Sequence, residues 1–286
     1  MPGHAYKLLL LVIFISYGKF SVANELSPTT TRLLQISGIT NQVEEFPRFI
    51  KEGMLQAKQQ DHGIQDDTFK EMLAMVDDAM NTTVMLNEIG NKLSQSLNVN
   101  DTQDILSWYE SRAGKTITAA EEHASTPEAY HEMLQQSASL LKDQKRIDYA
   151  RSVDKLLSAT QFTLDLHIHT QLAVVSAFSS VLEPEAPRQL DAYKAQVQNQ
   201  VENLRTGIQQ FVVLSFAYSY QAISDEDLND YKAFLETPAA RNFNQVAMLG
   251  ISETLQRAIA VLAKRIADIK IEKPVAPGVG KDEVFI

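Results

Sequence analysis

Apolar residues recur along this chain at steps of three and four, the spacing that places them on one face of an α-helix. Phe69, Met72, Val76 and Met80 form one such stripe, followed by Ile89, Leu93 and Leu97. Near the C-terminus Leu255, Ile259, Leu262, Ile266 and Ile269 repeat the pattern, while Lys264, Arg265 and Lys270 face away. Each stripe is single and therefore turned towards a core. Methionine within a stripe is ordinary gap-filling material. No run alternates apolar and polar residues as a half-buried strand would. Gly and Pro, at 11 and 9 in 286 residues, are too few to break the pattern often. The prediction is an all-α protein, folded as a helical bundle.

Helix starts are marked by capping chemistry. Asn100 or Asp101 precedes the helix carrying Trp108, and Ser224 followed by Asp227 resembles a capping box before the helix carrying Tyr231. Pro127, Pro187 and Pro238 stand where a first helical turn tolerates a missing N–H. Residues 126–150, with Tyr130, Met133, Leu134, Leu140 and Leu141, are expected to form one connecting helix.

One motif occurs twice, about 126 residues apart. Asp104-Ile-Leu-Ser-Trp-Tyr-Glu-Ser-Arg-Ala-Gly-Lys115 is matched by Asp230-Tyr-Lys-Ala-Phe-Leu-Glu-Thr-Pro-Ala-Ala-Arg241. Each copy is an aromatic helix, a Glu-Ser or Glu-Thr step, small residues and a base. The likeness extends upstream, since Leu33-Leu34 lies 75 residues before Trp108 and Leu156-Leu157 lies 78 before Phe234. Two tandem repeats of a roughly four-helix unit follow, at 24–125 and 151–272, joined by 126–150. Two copies of an α unit usually pack face to face, because one alone leaves an apolar side exposed.

The segment Phe211 to Arg241, with the earlier copy, resembles the bacterial family called domain of unknown function twenty-fifty-nine. That pattern runs from an aromatic-bearing helix through an acidic turn to a helix ending in aromatic, Ser, Pro, small, Gly and a base. The second copy keeps Phe234, Thr237, Pro238 and Arg241 but has Ala240 in place of Gly. The first keeps Trp108, Tyr109, Ser111, Gly114 and Lys115 but has Arg112 in place of Pro. The likeness covers 30 to 50 residues per copy. It implies a secreted helical protein of Gram-negative bacteria and implies no activity.

The two ends are expected to lie outside the fold. Leu8 to Tyr17 is an almost unbroken apolar run, and Ser21-Val22-Ala23 offers the small residues that a signal peptidase reads. Cleavage is expected between Ala23 and Asn24, giving a soluble periplasmic or secreted protein. The run is about ten residues, against roughly 20 for a spanning helix, and no later stretch is read as approaching that length. The tail 273–286, with Pro274, Pro277, Gly278 and Gly280, cannot continue a helix and is expected to be disordered.

Charge and cysteine content narrow the function classes. Losing Lys7 and Lys19 with the signal leaves 24 bases against 36 acids, a charge of −12. That excludes a nonspecific nucleic-acid binder, which needs basic surface to displace counterions. With no Cys there is neither a disulfide, a thiol nucleophile nor a lipid-attachment site. A chain this long can bury a core without disulfides.

No candidate chemistry survives inspection, so catalytic, cofactor and metal sites are expected to be absent. Ala113-Gly114-Lys115-Thr116 imitates the end of a phosphate loop, but Tyr109 stands where the first Gly belongs and a helix precedes it. It is read instead as a helix end, with a base near the C-terminal dipole. Asp225, Asp227, Asn229 and Glu236 fall at calcium-loop spacing, yet Asp230 replaces the turn Gly. A capped acidic helix start accounts for the same residues. His167 and His169 point about 200° apart on a helix and are expected to be one packed and one solvated. His131-Glu132 lacks the second His of a zincin helix, Gln135 standing in its place. There is no Gly-x-Ser-x-Gly elbow. The pairs Asp77-Asp78 and Glu121-Glu122 are read as solvated faces, and Asn81 and Asn100 as glycosylation acceptors only in a eukaryotic host.

Trp108 and Phe234 are expected to be core anchors, since such rings bury about 150–250 Å². The remaining reading is a noncatalytic envelope protein that binds another protein or acts as a scaffold. Two alternatives stand beside it. One is a carrier of an apolar small molecule between the halves, lined by Phe162, Leu166, Phe178, Phe211 and Leu214. The other is an enzyme whose site the sequence does not display.

Overall fold

The computed structural model describes residues 26–60, 65–169 and 187–269. The expected signal segment and the C-terminal tail, with the expectations placed on them, lie outside these residues. Among the described residues every regular element is a helix. In chain order they are α1 (Pro28–Ile36), α2 (Ile39–Glu44), α3 (Phe46–Gln60), α4 (Asp66–Ala79), α5 (Thr82–Ser96), α6 (Val99–Glu110) and α7 (Arg112–Ala124). There follow α8 (Pro127–Leu140), α9 (Gln144–Leu157), α10 (159–169), α11 (Pro187–Ser219), α12 (Asp225–Leu235) and α13 (Pro238–Ala267).

Local chemistry sets the breaks. Gly38, at φ 77, takes the left-handed conformation that closes α1 and opens α2. The expected connecting helix is cut in two, because the Asp143 carboxylate accepts the Arg146 N–H at 3.1 Å and starts α9 there. The α9–α10 junction turns on Ser158, at φ 53, and on the buried Asp154, which accepts both the backbone N–H of Thr160 at 2.7 Å and its hydroxyl at 2.8 Å. A buried carboxylate is tolerated there because both oxygens are bonded.

The helices of the two motif copies interlock. The long α13 packs on α5 and α6, and its counterpart α7 packs on α11 and α12. Likewise α1 packs on α5 and α6, while α9 packs on α11 and α12. Each motif's second helix thus crosses to the other half of the chain. One large core results, running from Leu33 and Leu34 through Met72, Ile89 and Ile105 to Phe243, Ile259 and Ile266. Two small satellite cores form where α8 and α9 meet α11.

One expectation is corrected by α13. Pro238–Ile266 is long and apolar enough to cross a membrane, judged by length and composition. Its apolar residues are used otherwise here: Phe243, Ala247, Ile251, Leu255, Ile259, Leu262 and Ile266 are all buried in the core. Leu249 and Val261 of the same helix stay half exposed.

Candidate functional site

Both motif copies build the same local device, a helix, a tight corner and a second helix. In the first, Asn98 caps α6 by accepting the Asp101 N–H at 2.9 Å, two residues earlier than the expected cap. Ser111 then ends α6 and caps α7, accepting the Gly114 N–H at 3.0 Å. In the second, Ser224 accepts the Asp227 N–H at 3.1 Å, and Thr237 accepts the Ala240 N–H at 3.1 Å. Pro238 opens α13, where its missing N–H costs nothing. Lys115 and Arg241 are exposed one turn inside their helices. The base therefore sits near a helix start, not near the C-terminal dipole end that the sequence suggested.

The corners bring the motif aromatics together. Trp108 stacks on Phe234 with ring centroids 4.7 Å apart and planes 11° from parallel. Tyr231 stacks on the same Trp108 at 6.0 Å, and Tyr109 meets Phe234 edge-on at 5.9 Å. Phe234 is 8% exposed, while Trp108 and Tyr109 are half-buried. These residues, 126 positions apart in sequence, are thus in direct contact across the two halves.

Beside this stack lies a half-buried carboxyl that the sequence reading placed in solvent. Glu121 points inward from α7, and its Oε1 accepts the Tyr220 hydroxyl at 2.5 Å and the Tyr231 hydroxyl at 3.1 Å. Only Glu122 of the pair faces out, where it takes the Asn41 amide at 2.7 Å. Tyr220 is 1% exposed and packs edge-on against Tyr149 and Tyr231. Burial pushes the Glu121 carboxyl above its ordinary value, although both hydroxyls pull it down. Burial and the Glu121 charge hold the hydroxyls of Tyr109, Tyr149, Tyr220 and Tyr231 up, so they stay neutral donors at physiological pH. The signal was legible after the fact: Glu121 stands four residues after Ile117, on the apolar stripe of α7.

The cluster has no counterpart at the matching positions of the repeat. The positions 126 residues from Glu121, Tyr220 and Tyr231 are Ala247, Ser94 and Ile105, and the position 123 before Tyr149 is Leu26. None of these carries a carboxyl or a phenol.

A second charged feature ties the corners. Arg112, mostly exposed, donates from Nη1 to Asp227 Oδ2 at 3.1 Å and places Nη2 2.7 Å from Oδ1. The latter contact lacks hydrogen-bond geometry, so the attraction at Oδ1 is Coulombic. The Ser224 hydroxyl, first, and Arg112 hold the Asp227 carboxyl below the usual range.

The other candidate residues do not converge. Asp225 pairs with Lys145 and Arg146, Asp227 with Arg112, and Glu236 caps the far end of α12, so the calcium-spaced acids serve separate partners. His167 and His169 are both exposed, which corrects the expectation of one packed ring. His169 Nδ1 lies 3.3 Å from the Gln256 amide. Among the described residues no group of three His, Asp or Glu could hold a metal ion. Phe162 and Leu166 pack on the main core, Leu214 joins the α8 cluster and Phe211 is exposed. Phe178 lies outside the described residues. An open groove beside α3 is lined by Arg48, Lys51, Glu52 and Asp77, whose charges pair among themselves at 2.6–2.8 Å.

On the outside, α8 exposes Tyr130 and Leu134, Leu141 is exposed just past its end, and the ring of Phe211 in α11 lies 6.1 Å from that of Tyr130. No family model, no curated protein and no solved structure matches the chain.

Proposed function

We propose that this chain is an exported, noncatalytic helical module that binds another protein through the outer face of α8 and α11. The observation that carries the reading is the exposure of Tyr130, Leu134, Leu141 and Phe211, with the Tyr130 and Phe211 rings 6.1 Å apart between α8 and α11. Exposed aromatic side chains that meet on neighbouring helices are the kind that anchor protein contacts. The motif aromatics are occupied with each other in the interior and leave the recognition role to this outer stripe. The likeness of the two motif corners to domain of unknown function twenty-fifty-nine, and the apolar run before Ala23, support export to the periplasm and an origin by duplication. The carrier reading is weaker, since its lining residues are divided between the main core, a satellite core and solvent.

The test places a photo-crosslinking amino acid at Tyr130, Leu134 or Phe211, with Val84 and Val99 as exposed controls on distant helices. The reading expects one discrete protein adduct from the first three sites and none from the controls. Adducts of equal yield from all five sites, or none from any, contradict it. Native mass spectrometry showing one equivalent of a bound apolar small molecule would replace it with the carrier.

A further inference from the structure

We infer that the protein bound by the α8 face is a second copy of this chain, held by antiparallel pairing of the two α8 helices about a two-fold axis. The inference rests on the proposed use of that face and names its occupant. Tyr130, Leu134, Ala138 and Leu141 follow at steps of four, four and three, so they lie on one side of the helix, and all four are exposed. Leu141 stands just past the end of α8 but keeps right-handed helical backbone geometry, and the Lys142 N–H still bonds the Ser139 carbonyl at 3.0 Å. The other side of α8 is committed to the body through Ala129, Met133 and Leu140.

Charge decides what fits there. Glu128 in the first turn and Lys142 beyond the last are both exposed, and a separation of roughly four turns puts them on the same edge of that face. The other charged residue of 127–142, Glu132, is taken by the Tyr218 hydroxyl at 2.8 Å. Alongside, α11 carries no Asp, Glu, Lys or Arg from Thr206 to Ser219. An acid at one end and a base at the other complement the same edge reversed, which is what a two-fold contact requires. One antiparallel register sets Glu128 beside the partner's Lys142 twice over. In that register Tyr130, with the Phe211 ring next to it, comes down on the partner's Leu141, and Leu134 meets the partner's Ala138, small enough to admit it. A parallel pairing sets like charges together at both ends, and a uniformly basic partner meets Lys142 with repulsion.

The experiment uses the full chain as exported. Sedimentation at micromolar concentration should show a dimer. The sequence holds no Cys, so introduced thiols report only the chosen positions. A short bismaleimide should join Glu128→Cys to Lys142→Cys chains in a mixture, and neither variant to itself. Glu128→Lys and Lys142→Glu should each weaken the dimer about two- to thirtyfold, the worth of two exposed ion pairs. Each charge also suits its own helix end, so the deciding sample is the mixture of these two variants. Their heterodimer regains opposite charges at both contacts and should form as tightly as the wild-type dimer. A mixture no tighter than either variant alone, or cross-linking of Glu128→Cys to itself, overturns the inference. A photo-crosslinker at Tyr130 separates it from the broader reading. An adduct of two copies of this chain supports it. An adduct of any other mass overturns the second copy and leaves the docking face standing, and a monomeric chain with no adduct removes both.

Discussion

Gly114 is pressed against the end of the preceding helix, and a Cβ added there would lie 2.1 Å from the Trp108 carbonyl oxygen. Neither backbone can yield without opening the corner. Gly114→Ala should therefore destabilise by at least the 1–3 kcal/mol usual for overpacking, about, despite the better helix propensity of alanine. Gly53 in α3 is the control, with nothing within 4 Å of an added Cβ, and Gly53→Ala should stabilise by roughly 0.5–1 kcal/mol. Urea melts of both variants check the pair. The second copy accommodates Ala240 because its corner is a residue looser: Glu236 ends α12 and Thr237 caps α13, whereas Ser111 does both tasks in the first. At this scale a glycine in a motif was legible, but the inward turn of Glu121 was not. An acid beside an acid reads as solvent-facing until the helix phase is taken from Ala113 and Ile117.

At both motif corners the second helix starts on a single hydroxyl. Ser111→Ala and Thr237→Ala each remove the acceptor for one orphan N–H, and each should cost about 1 kcal/mol, read as a lower urea midpoint. The start of α12 adds a pH dependence. Asp227 is held low by Ser224 and Arg112, so its contribution is present above the unfolded value, about 3.9, and lost as pH falls through the folded one. Asp227→Asn should flatten the acid arm of the stability profile between pH 5 and pH 2.5. An acid arm unchanged in that variant would remove Asp227 from the account. Ser224, Pro127 and Pro238 were legible as helix starts because cap chemistry is local. The break at Asp143 was missed because the apolar spacing of residues 126–150 continues across it. The true cap of α6, Asn98, competed with two equally good cap residues just downstream.

Across the whole molecule, the all-α class was written in the apolar spacing, and the motif offset of 126 residues was visible by inspection. The partnering of helices was not. That α13 lies on α5, and α7 on α11, is a set of contacts between residues far apart in sequence, about which periodicity says nothing. It follows that the described helices form one cooperative unit, and far-ultraviolet and near-ultraviolet signals should lose structure in a single coincident transition. The claim on which the fold depends most is that the motif aromatics join the halves. A double-mutant cycle on Trp108 and Phe234, followed by urea unfolding, tests it directly. Phe234→Ala should cost about 3–5 kcal/mol, and Trp108→Ala, with its ring half-buried, somewhat less. The double variant should lose about 0.5–1.5 kcal/mol less than the sum, because each single change already breaks the 4.7 Å stack. Unchanged midpoints in both single variants, or losses that simply add, would contradict the account and make these rings candidates for a binding surface.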